Sequence, residues 1–135
     1  MVPADNIHVN YVHGLIPHEL CAHVAEAACV AVCCLETKYT VGLTTVVEAL
    51  GLGIPLICSR NTTMPFDMER DGIGISVEYG DVDGWQRAIE YMLTHNDEMV
   101  AMSRNARSLA YSKYNDRLLA RQIASLIKSI VQTSK

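Results

Sequence analysis

The feature that most restricts the fold of this chain is the alternation of short apolar runs with longer amphipathic segments. Three of these runs are CVAVCC at 29–34, IPLICS at 54–59 and GISVEY at 74–79. Runs this short and this uniformly apolar are typical of parallel strands that are covered on both faces. Strands that alternate with helices predict a parallel sheet joined by right-handed crossovers, with helices packed on both sides.

The segments between the runs have helical periodicity. Residues 7–12, IHVNYV, alternate as a further strand would, and Pro17 then begins a helix that reaches Ala27. A second helix is predicted over 43–51, since its apolar residues recur at helical spacing and glycines follow it. These residues are Leu43, Val46, Val47, Leu50, Gly51 and Gly53.

After the strand at 74–79, the sequence predicts helices only. Asp81 and Asn96 are candidate caps for two of them, and Trp85 is expected in the core. A last helix has its apolar stripe at Leu119, Ile123, Leu126 and Ile130. The predicted fold is a single truncated Rossmann-like domain over 1–135. It has three αβα layers, a mostly parallel sheet of about four strands with 29–34 in the centre, and a helical C-terminal tail.

Composition excludes several classes of function. The chain has 135 residues, half of them hydrophobic, and a net charge of -4. Its Lys and Arg residues are dispersed, which argues against nucleic-acid binding. The sequence has no apolar run long enough to span a membrane and no signal-peptide pattern, so a cytoplasmic protein is expected.

The cysteines and histidines predict neither disulfides nor a metal site. The five cysteines are an odd number, and Cys33 and Cys34 are adjacent in an apolar run, so reduced core thiols are expected. Four histidines recur at five-residue steps, which place them on different faces of a helix. No metal and no cofactor are therefore expected.

The stretch YTVGLTTVVEALGLG at 39–53 contains the candidate site. In an open parallel sheet, ligands bind where strands end and loops enter helices. Gly42 allows a close approach of the backbone, and the first helical amides, at Leu43, Thr44 and Thr45, suit a phosphate. Glu48 lies one turn further and suits paired ribose hydroxyls. The same pattern also describes an ordinary capped helix beside a sheet.

Several motifs together resemble a known family. IHVNYVHGLIPHEL, AACVAVCCLE, VGLTTVVEALGLGIPLICS and ERDGIGISVEYGDVDGWQRAIEYML follow one another. In this order they resemble the C-terminal, donor-binding half of retaining GT-B glycosyltransferases of the large group 1 family. The resemblance rests most on Gly42-Leu43, Glu48-Ala49 and the Gly53-Ile54-Pro55 strand entry. It implies that Glu48 meets the ribose of a nucleotide-diphosphate sugar, while Leu43, Thr44 and Thr45 hold the diphosphate.

The sequence also departs from that family. Thr40 stands eight positions before Glu48, where the family often has a glutamate that contacts the donor sugar. The resemblance further implies two leading strands with an Arg and Lys pair, and an acceptor-binding domain, for which this sequence has no segment. Lys38 and Arg60 are candidates for the missing cations. The chain alone is expected to bind a nucleoside diphosphate weakly without transferring sugar, so whether it is itself an enzyme stays open.

Three functions remain open at this point. The first is the donor domain of a hexosyl-transferring glycosyltransferase, with a nucleotide-diphosphate sugar and an acceptor domain or subunit as partners. The second is a non-catalytic nucleotide-sugar-binding module or one subunit of a split transferase. The third is a relative of the GT-B sugar-nucleotide epimerases. If strand 7–12 lacks its neighbours, either it pairs with strand 29–34 or the free edge recruits a second copy to form a homodimer.

Overall fold

The chain is described here by a computed structural model that covers residues 8–133. Three parallel strands form the sheet: β1 (Val30–Val32), β2 (Leu56–Ser59) and β3 (Gly74–Val77), in that spatial order. The helices are α1 (Pro17–Ala25), α2 (Leu43–Leu52), α3 (Val82–Thr94), α4 (Asn96–Ser112) and α5 (Asp116–Thr133). The predicted Rossmann-like α/β class, with its helical C-terminal segment, is confirmed.

The sheet register aligns the carboxyl ends of the three strands. Val32 pairs with Cys58, and Ser59 pairs with Val77. The loops that follow β1, β2 and β3 therefore all leave from the same edge of the sheet. The loop after β1 leads into α2, which places the start of that helix at the edge where ligands bind in open parallel sheets.

Helices cover both faces of the sheet and form two cores. Leu56 and Cys58 belong to the larger core, which α2 and α4 complete with Leu50 and Ala106. Ile57 points to the opposite face because side chains alternate along a strand, and there it packs with residues of α3. The two cores give the three-layer αβα arrangement. All four residues of β2 are buried, so β2 is the central strand.

The strand predicted at 7–12 is not formed by its described part. Residues 8–12 take no part in the sheet and are exposed, and residue 7 lies outside the described residues. A strand is stable only when a neighbour satisfies its backbone groups, and residues 8–12 do not pair with the free edge of β1, the expected partner. The described part of the chain thus has three strands rather than about four.

The prediction that 29–34 forms a central strand is also wrong. β1 is an edge strand of the described sheet, and Ala31 and Cys33 are exposed. Apolar composition predicted burial on both faces, but only Val32 of β1 is buried. Cys33 is therefore not a core thiol.

The two predicted helix caps have different outcomes. Asp81 caps α3 as predicted, because its Oδ1 accepts a hydrogen bond of 2.8 Å from the Gly84 amide. Asn96 is not the cap of α4 but its first residue. His95 occupies the cap position, where its carbonyl accepts hydrogen bonds from two amides of the first turn. Trp85 is half-buried against the core beside α3.

Helix α5 presents the predicted apolar stripe to solvent. No residue of α5 is buried, and Leu119, Ile123, Leu126 and Ile130 are each about half exposed or more. The helical periodicity was read correctly, since α5 spans the stripe, but the stripe does not face either core.

We expect that removing residues 116–135 leaves the rest of the fold nearly as stable as before. Since no α5 side chain is buried, the midpoint of thermal unfolding should fall by less than about 4 °C, which corresponds to ~1 kcal/mol. Circular dichroism melting curves of the full and shortened chains measure this. Ala106→Asp, which places a carboxylate in the larger core, is the control that should be strongly destabilised. A fall of 10 °C on shortening would contradict the expectation.

Candidate functional site

The start of α2 is shaped by Gly42. Gly42 is the N-cap residue with φ of 79°, and no side chain caps the helix. A Cβ atom at this position would lie 2.5 Å from Cγ1 of Val32, so the backbone runs close against the end of β1. The first amides of an α-helix have no partner within the helix. With glycine at the cap, those of Leu43, Thr44 and Thr45 remain directed out of the helix end.

One face of α2 is polar and exposed, as its helical spacing predicts. Thr44, Thr45 and Glu48 are exposed, whereas Val46 and Leu50 are fully buried on the opposite face. Residues three or four apart on a helix are neighbours, so Thr44 and Thr45 share one face of α2 with Glu48. The structure therefore brings the sequence-predicted residues together at one end of one helix.

The loop before α2 is fastened to the loop after β2. The Thr40 hydroxyl donates to the Thr63 carbonyl at 2.9 Å and lies 3.0 Å from the Thr63 hydroxyl. The Asn61 amide nitrogen donates to the Tyr39 carbonyl at 3.1 Å. Sequence reasoning missed Asn61 and Thr63, although the polar run at 60–63 marks a loop at the carboxyl end of β2.

A buried serine makes a second connection between these segments. Ser59, at the end of β2, is 7% exposed. Its hydroxyl accepts a hydrogen bond of 3.0 Å from the Cys34 amide and donates one of 3.2 Å to the Cys34 carbonyl. The first residues after β1 are thereby held beside β2, which extends the connection between the two strands past the end of β1.

Comparison with known families identifies the chain. The model of the glycosyl transferases group 1 family matches residues 6–109, well over half of the chain. The chain belongs to the glycosyl transferases group 1 family. The matched region contains all of β1 to α3 and the polar face of α2. No curated protein matches the sequence closely enough to count as a relative.

Arg60 was one of two candidate cations for a ligand of this glycosyltransferase domain. Its Nε atom lies 2.5 Å from Oε1 of Glu78, and its Nη2 atom lies 3.7 Å from Oε1 of Glu69. The guanidinium is therefore matched by two carboxylates, although pairs this exposed contribute little to stability. Lys38, the other candidate, is exposed in the loop between β1 and α2.

Glu69 also protects the outer edge of the sheet. Its carboxylate accepts hydrogen bonds from the amide of Ser76, at 2.6 Å, and from the Ser76 hydroxyl, at 2.9 Å. Ser76 lies on β3, an edge strand of the described sheet. A carboxylate that occupies an edge amide removes one position at which another strand could pair.

A cavity lies at the loop between β2 and β3 and does not include the polar face of α2. Its volume is about 320 Å³, and residues of β2, β3 and the loop between them form its walls. None of the five predicted site residues lines it. The predicted site is instead an open helix end on the surface.

Two further kinds of feature are absent from the described residues. Between residues 8 and 133, no group of three or more His, Cys, Asp or Glu side chains is arranged to hold a metal ion. Over the same range, no helix combines the length and apolar character that crossing a bilayer requires.

Proposed function

We propose that this chain is the donor-binding part of a retaining GT-B glycosyltransferase and binds a nucleotide-diphosphate sugar at the start of α2. The observation that carries the proposal is the exposed helix end with Thr44, Thr45 and Glu48 on one face, in a member of the group 1 family. Amides, hydroxyls and a carboxylate are the groups that a diphosphate and a ribose need.

The diphosphate would bind at the first turn of α2. Free amides and the positive end of the helix dipole attract anions there, and the Thr44 and Thr45 hydroxyls are further donors. The same groups would stabilise the negative charge that develops on the diphosphate as the glycosidic bond breaks. These donors are fixed by the helix, so little reorganisation is needed during the reaction.

The ribose would bind at Glu48, one turn along the helix. An ionised carboxylate has two acceptor oxygens and can take a hydrogen bond from each of two adjacent hydroxyls. Glu48 is exposed on the same face as Thr44, while Val46 and Leu50 face the core. Along α2, the hydrogen-bond donors for the diphosphate are therefore one turn away from the carboxylate that accepts hydrogen bonds from the ribose.

Transfer of a hexosyl group would require a second surface for the acceptor. In the proposed arrangement this chain holds the donor, and an acceptor-binding domain or subunit brings the nucleophile to the sugar. Thr40, close to the α2 start and bonded to Thr63, lies where the resemblance implies contact with the donor sugar. A threonine there offers a hydroxyl where the family often offers a carboxylate.

The proposal is tested by Glu48→Gln. The substitution should weaken binding of a nucleoside diphosphate about tenfold, because hydrogen bonds to a charged acceptor are stronger than those to an amide. The melting temperature without ligand should hardly change, since the Glu48 side chain is exposed. Isothermal titration calorimetry with UDP, GDP and ADP measures the affinity.

Glu26→Gln is the matched control, because Glu26 is also an exposed glutamate, at the end of α1. It removes the same charge and should leave affinity unchanged. Equal affinity in wild type and Glu48→Gln would overturn the ribose role, and the absence of binding to all three nucleotides would overturn the proposed function.

A further inference from the structure

We propose that Asn61 and Thr63 are positioning residues for the nucleotide site, although neither lies on α2. This inference rests on the proposed function, since it concerns the affinity of the same helix end. Asn61 and Thr63 lie in the loop after β2, and they hold the loop that connects β1 to α2.

Asn61 uses both ends of its side-chain amide. Its Oδ1 accepts hydrogen bonds from the Thr63 amide, at 2.9 Å, and from the Thr63 hydroxyl, at 2.7 Å. Its Nδ2 donates to the Tyr39 carbonyl at 3.1 Å. The amide therefore shapes its own turn and holds the opposite loop at the same time.

Thr63 completes the connection on the other side. The Thr40 hydroxyl donates to the Thr63 carbonyl at 2.9 Å and to the Thr63 hydroxyl at 3.0 Å. The Thr63 hydroxyl, which in turn donates to Asn61, is the group that a side-chain substitution removes. Asn61 therefore holds Tyr39, and Thr63 holds Thr40, the next residue along the loop. Two attachment points fix both the position and the direction of the chain just before Gly42.

Apolar packing does little to hold this loop. Leu35 is 87% exposed and Tyr39 is 68% exposed, so these two side chains remain largely in water. Among the apolar side chains of the loop, only Val41 and Cys34, nearer its ends, are partly buried. At its ends the loop is held by the Ser59 and Cys34 hydrogen bonds and by the contact of Gly42 with Val32. Between those ends, the polar connection from Asn61 and Thr63 takes the place of a core.

The position of the loop matters because anion binding at a helix end depends on direction. The first-turn amides and the Thr44 hydroxyl bind phosphate only if the chain before Gly42 leaves that space open. A loop that samples several positions lowers the fraction of molecules in the binding conformation, and the apparent affinity falls by that fraction.

The experiment compares Asn61→Ala and Thr63→Val with Asn105→Ala. Asn105 is an exposed residue of α4 whose Nδ2 donates to the Gly72 carbonyl at 3.0 Å, so its loss removes a similar bond away from the site. Amide hydrogen exchange of peptides covering 38–45, measured without ligand, reports the loop directly. Calorimetry with the nucleoside diphosphate that wild type binds reports the affinity.

Asn61→Ala and Thr63→Val should each raise the exchange rate over 38–45 about tenfold and weaken binding about fivefold. Asn105→Ala, with a melting temperature comparable to those of the two variants, should change neither the exchange rate over 38–45 nor the affinity. Thr63→Ser keeps the hydroxyl and should restore most of the affinity that Thr63→Val loses, which a general loss of stability would not explain.

The outcomes separate the two proposals. Exchange over 38–45 that equals the Asn105→Ala control would overturn the positioning role. Faster exchange with unchanged affinity would also overturn it, because the loop would then not be coupled to the site. A wild type that binds no nucleoside diphosphate would overturn the proposed function, and the exchange comparison distinguishes this case because it needs no ligand.

Discussion

Gly42→Val is expected to destabilise the fold by about 2–5 kcal/mol. The backbone of Gly42 has φ of 79°, a conformation that costs a β-branched residue about 1–2 kcal/mol. A Cβ there would lie 2.5 Å from Cγ1 of Val32, whose side chain is in the larger core, and overpacking adds about 1–3 kcal/mol. The midpoint of thermal unfolding should fall by roughly 10 °C.

The control for this variant lies on the same helix. A Cβ at Gly51 meets no atom within 4 Å, so Gly51→Ala adds a methyl group in open space and should leave stability equal or slightly higher. Melting curves of the three chains decide the question. A folded Gly42→Val chain that melts within 2 °C of wild type would contradict the expected clash with Val32.

The position of the Cβ at residue 42 also changes the interpretation of any loss of binding in Gly42→Val. From the sequence, such a substitution would be expected to block a phosphate. In the structure, the missing side chain points at Val32 rather than into solvent, so lost binding in Gly42→Val would report lost folding. Gly42 belongs to the proposed site through its backbone, and Glu48→Gln is the cleaner test.

The sequence predicted those elements whose signals are local. The start of α2 at Leu43 followed from its apolar spacing, and its end at Leu52, capped by Gly53, lies one residue beyond the predicted end at Gly51. The burial of β2 followed from its continuous apolar run. The strand at 7–12 failed because alternation shows that a segment can form a strand, while pairing depends on a neighbour elsewhere in the chain. The prediction that β1 is a central strand was wrong for a similar reason, because the composition of a strand does not show whether both of its edges are paired.

The candidate site divides in the same way. Helical spacing was enough to place Thr44, Thr45 and Glu48 on one exposed face of α2. The supporting bonds from Asn61 and Thr63 join residues more than twenty positions apart in sequence. Such contacts depend on the parallel pairing of β1 with β2, which aligns the loops after both strands, and no local pattern encodes that alignment.

Cys58 is expected to react with iodoacetamide at least about a thousandfold more slowly than Cys33 in the folded chain. Cys58 is 3% exposed, and burial, followed by the nearby Cys34 and Glu69, raises the pKa of its thiol to about 12. Only the thiolate reacts, and a rise from 9.0 to about 12 lowers its fraction about a thousandfold at pH 8. Cys33 is exposed and serves as the internal reference.

Cys58 should therefore be labelled mainly when the chain unfolds, and its rate should rise in Gly42→Val. Because the folded pKa lies above the unfolded one, the unfolded state loses this proton first as pH rises. The contribution of this thiol to the free energy of unfolding is therefore constant below about pH 9 and falls as the pH rises from there toward 12. Mass spectrometry of digested samples follows each cysteine, and labelling in concentrated guanidinium gives the unprotected rates. Labelling of Cys58 within tenfold of Cys33 under folding conditions would show that β2 is not held in a closed core.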